Sequence, residues 1–158
     1  MAPPRLTFFC ELAPEPLQAL FDRRLVNDLL KLRANLSLGI IDLTPQRAEV
    51  VQRLNAAGVP VIAWLLLPKD EGYWFNLDNA PQAAARYTAF KAWTEENGLR
   101  WDGIGLDIAP DIGELTRFAK GDMSLLPGVV KRFFSRRRLV EGRACYQALV
   151  AQIHADGY

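Results

Sequence analysis

The chain has 158 residues, half of them apolar, and a formal net charge of +1 from 19 basic and 18 acidic side chains. That is enough chain to bury a core in a single domain spanning residues 1–158, and the balanced charge gives no general pull toward nucleic acid or anionic lipid. The longest apolar stretch, Val59 to Leu67, contains Pro60 and falls far short of the roughly 20 residues that a bilayer span needs. The amino terminus, MAPPRLTFFCELAPEPL, sets Glu11 directly after a short apolar run, so no secretory signal is expected. Cys10 and Cys145 stand apart in apolar company with no CxxC spacing, which predicts buried thiols in a reducing, cytoplasmic setting.

Taken in chain order, short apolar runs alternate with longer helical patterns. Leu6 to Leu12 is β-rich and bounded by prolines, and predicts a first strand. Leu17, Leu20, Phe21, Leu25, Leu29 and Leu32 recur at the three-and-four spacing of one helix burying one face. Leu36 to Ile41, ending at Asp42, predicts the second strand. Thr44 before Pro45 is an N-cap with proline at the first helical position. Val50, Val51, Leu54 and Ala57 form the stripe of that helix, and Gly58 supplies its left-handed stop. Val59 to Leu67 predicts a third strand covered on both faces.

A loop from Pro68 to Asn79, rich in charge and aromatics, follows, and Asn79 is placed to cap the next helix. Ala83, Tyr87, Phe90 and Thr94 share one face of that helix, and Gly98 closes it. Trp101 to Ala109 predicts a fourth strand. The stretch from about Asp111 to Ala155 has a helical pattern broken near Pro127-Gly128, and Asp156-Gly157-Tyr158 resembles a loop leading into another strand.

Four β-strand–α-helix units in a row imply a parallel sheet with right-handed crossovers. A doubly wound nucleotide-binding fold wants GxGxxG after its first strand, and nothing of the kind lies between Glu11 and Leu17. In the fourth strand Ile104, Leu106 and Ile108 share one face. Gly103, Gly105, Asp107 and Ala109 share the other, which is small and carries a carboxylate, as for a barrel interior. The expected class is therefore α/β of the (β/α)8 TIM-barrel type, represented by its first four units. A full barrel needs about 250 residues and eight strands, so the chain is expected either to be a fragment of a longer polypeptide or to pair with a copy of itself or a complementary half.

Barrel sites are built at the carboxyl ends of the strands. Glu11, Asp42 and Asp107 fall there, and each has a bland alternative in helix capping or pairing with a buried arginine. The loop after the third strand offers Tyr73, Trp74 and Asn76, which suit a sugar: rings stack on its C–H faces while amides and carboxylates bind its hydroxyls. The alternative is that Trp74 and Phe75 simply lid the barrel mouth. Trp64 lines the interior or belongs to the core, and Asp102, opening the fourth strand, holds a turn or a neighbouring side chain. Lys131-Arg132 and Arg136-Arg137-Arg138 alternate with Phe133, Phe134 and Leu139, the wet face of an amphipathic helix rather than a phosphate site. The single histidine, His154, supports neither a Ser–His–Asp triad nor a histidine-rich metal site, and Lys69 alone stands near a strand end, which argues against Schiff-base chemistry. No cofactor and no metal are expected.

The run Asp102-Gly103-Ile104-Gly105-Leu106-Asp107-Ile108-Ala109 resembles the strand-four signature DGxDxDxE of the family-eighteen glycoside hydrolases, the chitinases and their relatives. Asp102 matches its first aspartate and Asp107 its third. Gly105 stands where the middle aspartate belongs, and Ala109 where the glutamate belongs. The match covers about eight residues. In that family the glutamate protonates the leaving oxygen, and the neighbouring aspartate orients the substrate's N-acetyl group as nucleophile, a departure from the usual two-carboxylate scheme. The resemblance thus implies a catalytic position at Ala109 beside Asp107. Alanine donates no proton, so it further implies an inactive relative, an engineered variant, or an enzyme whose acid is Glu11 or Asp111. Two functional expectations follow: a glycoside-hydrolase-like barrel binding or hydrolysing a carbohydrate at its strand ends through Asp42, Trp64, Tyr73, Trp74, Asn76 and Asp102, or a non-catalytic binding or assembly module on the same scaffold.

Overall fold

The computed structural model describes residues 6–109, 120 and 136–158. The Pro127-Gly128 break, Asp111 and the basic pair Lys131-Arg132 lie outside the described residues. The fold is mixed α/β, with a four-stranded, sequentially ordered sheet. Its elements are β1 (Thr7–Cys10), α1 (Pro14–Leu20), α2 (Arg23–Lys31), β2 (Asn35–Ile40), α3 (Pro45–Ala57), β3 (Val61–Leu65), α4 (Ala80–Glu96), β4 (Gly103–Leu106) and α5 (Arg136–Ala155). The pairs β1–β2 and β2–β3 are parallel, with Phe9 opposite Ser37 and Gly39 opposite Trp64. No described helix is long and apolar enough to cross a membrane.

The chain divides into two compact units. The first comprises Met1–Leu65, Thr88–Gly105 and Tyr158, and the second Leu66–Tyr87 and Leu106–Gly157. In the first, the parallel register puts Phe8, Cys10, Leu36, Leu38, Ile40, Val61, Ala63 and Leu65 on one face of the sheet. From Cys10 onward these side chains are buried, and α3 packs against β3 and against α1. Full burial of an aliphatic side chain contributes roughly 1.5–3 kcal/mol, so this face holds most of the unit's apolar stabilisation. The opposite face carries Phe9, Ser37, Gly39, Ile62 and Trp64. A Cβ on Gly105 would lie 4.0 Å from Trp64 Cδ1, which sets Gly105 on that face too. Phe9 is exposed there and meets Trp64 edge-on, with ring centroids 5.8 Å apart.

The third strand was expected to be covered on both faces, and β3 instead alternates: Ile62 and Trp64 are only half-buried. Its apolar run is continuous because the half-covered face is hydrophobic as well. The fourth strand departs similarly. Its residues are half-buried throughout, and Ile108, on the bulky face with Ile104 and Leu106, is 59% exposed.

The helix expected across Leu17 to Leu32 is two helices. The apolar spacing runs through the break, but Asp22 takes an extended conformation and its carboxylate accepts the Leu25 N–H at 2.8 Å, starting α2 anew. Thr44 caps α3 as its sequence predicts, and Gly58 ends it at φ 79°, a conformation that favours glycine. Reciprocal bonds between Asn55 and Arg100, with Gln52 donating to the Asn97 carbonyl, tie α3 to the connection into β4. Phe90, Trp93 and Trp101 cluster beside it, and the Trp101 indole N–H donates to Thr94 Oγ1 at 3.0 Å.

In the second unit, α5 lies close to the loop that precedes α4. Gly142 comes so near Leu77 that an added Cβ would sit 2.6 Å from its Cδ2. Tyr87 donates to Asp156 at 2.9 Å, and the Cys145 thiol to the Ala80 carbonyl at 3.3 Å.

Candidate functional site

The residues expected at the strand ends fall into two sets. In the first unit, Asp42 follows β2 and is held by Arg47, one of the most deeply buried side chains of the protein. Arg47 Nε and Nη2 donate to the two carboxylate oxygens at 3.1 and 2.7 Å, a bidentate pair. Its remaining donors reach the Gly39 carbonyl at 2.9 Å and the Leu12 carbonyl at 2.8 Å. Thr44 Oγ1 donates to Asp42 at 2.6 Å and accepts the Arg47 N–H at 3.3 Å. One guanidinium thus ties the exits of β1 and β2 together. Burial alone would raise the Asp42 carboxyl, but hydrogen bonds from Arg47 and Thr44 outweigh it and hold it below its ordinary value. The pairing with a buried arginine is the alternative that the sequence left open for Asp42.

Arg47 was not singled out from the sequence, although a signal was present. It precedes Val50, Val51 and Leu54 on the same helical stripe, so its charge had to be buried with them. Glu11 is exposed in the loop that Arg47 anchors through Leu12. Burial pushes the Cys10 thiol up, against the smaller opposing effects of the Leu12 main chain and Arg47, which makes it a poor nucleophile. Asp102 sits at the amino-terminal end of β4. Its carboxylate accepts the Val61 N–H at 3.0 Å and its own N–H reaches the Val61 carbonyl at 2.8 Å, so it fastens strand to strand, away from the carboxyl ends where a site would open.

The second unit brings Trp74, Asn76, Asp107 and Ala109 together through a main-chain device. Phe75, fully buried, forms a parallel bridge with Ile108: its N–H donates to the Asp107 carbonyl at 2.9 Å, and its carbonyl accepts the Ala109 N–H at 2.9 Å. The register of that bridge sets Trp74 alongside Asp107 and Asn76 alongside Ala109. Trp74, Asp107 and Ala109 are half-buried, and the Asp107 carboxylate makes no hydrogen bond among the described residues. The bridge was not legible in the sequence, because Phe75 reads there as one more loop aromatic.

Tyr73 is 5% exposed with φ 63°, so it is core of the loop rather than a free platform. The Asn76 amide oxygen accepts the main-chain N–H groups of Asp78 and Asn79 at 2.8 and 3.2 Å, a turn-building role. Asn79, expected as a helix cap, turns its side chain back into the loop, accepting from the Asn76 N–H at 2.7 Å and donating to the Trp74 carbonyl at 2.9 Å. Tyr146 of α5 closes the assembly by donating to the Asn76 carbonyl at 2.7 Å. Its burial pushes the phenol up to about 12, so it stays a donor at neutral pH. Among the described residues no cluster of His, Cys, Asp and Glu is arranged to hold a metal ion.

This arrangement offers a half-buried indole, a carboxylate that makes no hydrogen bond among the described residues and a small methyl-bearing position, in a loop held by the Phe75 main chain and by the Asn76, Asn79 and Tyr146 side chains. It can stack on an apolar ring face and accept hydroxyl or amide hydrogens beside it. It holds no proton donor at position 109. No protein-family model, curated protein or solved structure matches this chain.

Proposed function

We propose that this chain is half of a glycoside-hydrolase-like (β/α)8 barrel, and that it binds a carbohydrate or similar polyhydroxylated ligand at the Trp74–Asp107 site without efficient hydrolysis. The observation that carries the reading is the Phe75 bridge, whose register sets Trp74 alongside Asp107, a carboxylate with no hydrogen bond among the described residues, at the end of the strand that resembles DGxDxDxE. The sheet is in keeping with it: its four parallel strands run in sequential order, as in a barrel wall, whereas the order of a doubly wound sheet reverses at a switch point.

Ala109 decides between binding and turnover. A general acid contributes roughly 10²–10⁴-fold to rate, and a methyl group supplies none of it. Glu11 is exposed and lies on β1's exit loop, and it carries no part of this reading.

Trp74→Ala tests the site. The variant is expected to bind N-acetylated oligosaccharides more weakly by roughly 1–3 kcal/mol, the scale of an aromatic anchor, with little change in folding stability. Calorimetric titration reads the first and urea denaturation the second. A variant that loses several kcal/mol of stability instead would make Trp74 a core residue and remove the ligand role.

A further inference from the structure

We infer that two copies of this chain close on each other, with β4 of one copy beside β1 of the other, so that the β1 edge and the groove behind it form a self-association surface. The inference rests on the barrel reading and names what completes it.

β1 is an edge in the strand order, and Thr7, Phe8 and Phe9 are exposed while β2, beside it, is almost wholly buried. Alternation sends Phe8 and Phe9 to opposite faces, so both sides of the edge are apolar and wet. Phe9 is 71% exposed. The segment from Thr7 to Cys10 has no charge and no proline, the usual guards of a lone edge. Behind it, β1, α1 and α2 enclose an apolar groove of about 440 Å³, with Leu20 and Leu32 at its exposed rim. Leu6, Phe8, Phe9, Leu20, Leu30 and Leu32 together expose on the order of 500 Å² of apolar surface, taking roughly 150–200 Å² for a fully exposed side chain. That is within the roughly 300–600 Å² of the largest patch on a typical monomer, a patch that often marks an interaction site, and is more than half of the roughly 800 Å² per partner in a stable interface.

Three features point to a second copy as the occupant. The two edges of one parallel sheet run in the same sense, so β4 of one copy can lie parallel to β1 of another, and a two-fold axis makes the reverse contact at the same time. The four strands among the described residues of each copy give eight, the number at which a barrel interior is just filled by side chains. The face with Phe9 also carries its bulk on odd strands and its space on even ones: Phe9 on β1 and Trp64 on β3, against Gly39 on β2 and Gly105 on β4. Barrel layers are drawn from alternate strands, and a β4-to-β1 junction continues that alternation without a break.

The test is the molar mass of the full chain by light scattering and sedimentation across micromolar concentrations. Wild type is expected at twice the 17.7 kDa chain mass. Leu32→Glu, at the exposed C-cap of α2, is expected to raise the dimer dissociation constant roughly a hundredfold or more by desolvating an unpaired charge, with an unchanged circular dichroism spectrum. Phe9→Glu should act likewise, and if it unfolds the chain Leu32→Glu decides. Val150→Glu, exposed on α5, should leave association intact. A wild type that stays monomeric overturns the inference, as do a Leu32→Glu protein that dimerises like wild type and a Val150→Glu protein that dissociates as readily. Oligomers larger than the dimer contradict two-fold closure. A monomer that still binds oligosaccharide overturns the pairing alone, whereas a dimer with no affinity for any oligosaccharide overturns the ligand reading alone.

Discussion

Arg47→Ala is expected to cost the fold about 3–5 kcal/mol, the scale for breaking a buried ion pair by removing one partner. The substitution leaves the Asp42 carboxylate with the Thr44 donors alone and takes from the Gly39 and Leu12 carbonyls the Arg47 donors. Arg47→Lys keeps the charge but loses the bidentate fork, and should fall between wild type and alanine. Urea denaturation monitored by circular dichroism measures both. A loss under about 1 kcal/mol for Arg47→Ala would mean that the pair behaves like an exposed one and does not hold the β1 and β2 exits.

The same pair gives the stability a pH dependence of known sign. Asp42 is held below its ordinary 3.8, so in the folded state it binds protons less readily than in the unfolded chain. Its contribution is present above that ordinary value and is lost as the pH falls through the lower, folded one. Asp42→Asn should flatten this part of the profile, and an acid transition of unchanged steepness in that variant would assign it elsewhere.

Ala109→Glu is expected to confer turnover of chromogenic N-acetylglucosaminides at roughly 10²–10⁴-fold above wild type, the contribution of a placed general acid. Ala109 is anchored by its N–H on the Phe75 carbonyl and alternates with Asp107 along one face, so a glutamate would extend from that face beside the aspartate. In the mechanism that the resemblance implies, the glutamic acid gives its proton to the leaving oxygen while Asp107 orients the N-acetyl group. Adding Asp107→Asn should therefore remove most of the gain. Equal release of chromophore by wild type and Ala109→Glu would show that position 109 is not the acid position.

The strands were legible because each apolar run stops at a proline, a glycine or a carboxylate: Asp42 after β2, Pro68 after β3, Gly98 ahead of β4. The bounds of α3 were written in Thr44, Pro45 and Gly58, where local chemistry and tertiary structure agree. The α1–α2 break was hidden because Phe21, Leu25 and Leu29 keep helical spacing across Asp22, and a periodicity argument does not see a cap that restarts the count. The site was legible as residue types and not as contacts. Asp42 reads as a strand-end acid until Arg47 is seen to fold back over five residues onto it. Asn76 reads as a ligand amide until its oxygen is found holding a turn. The bridge that sets Trp74 beside Asp107 joins positions more than thirty residues apart through the main chain of a phenylalanine, and main-chain pairing outside a regular strand leaves no periodic trace.

The most direct measurement is a calorimetric titration of the wild-type chain with N-acetylated oligosaccharides, each mixture then assayed for cleavage products by chromatography. The carbohydrate-binding account predicts saturable heat of binding with the oligosaccharides recovered intact. Absence of binding across the oligosaccharide series, or rapid cleavage by the unaltered protein with alanine at 109, would contradict it.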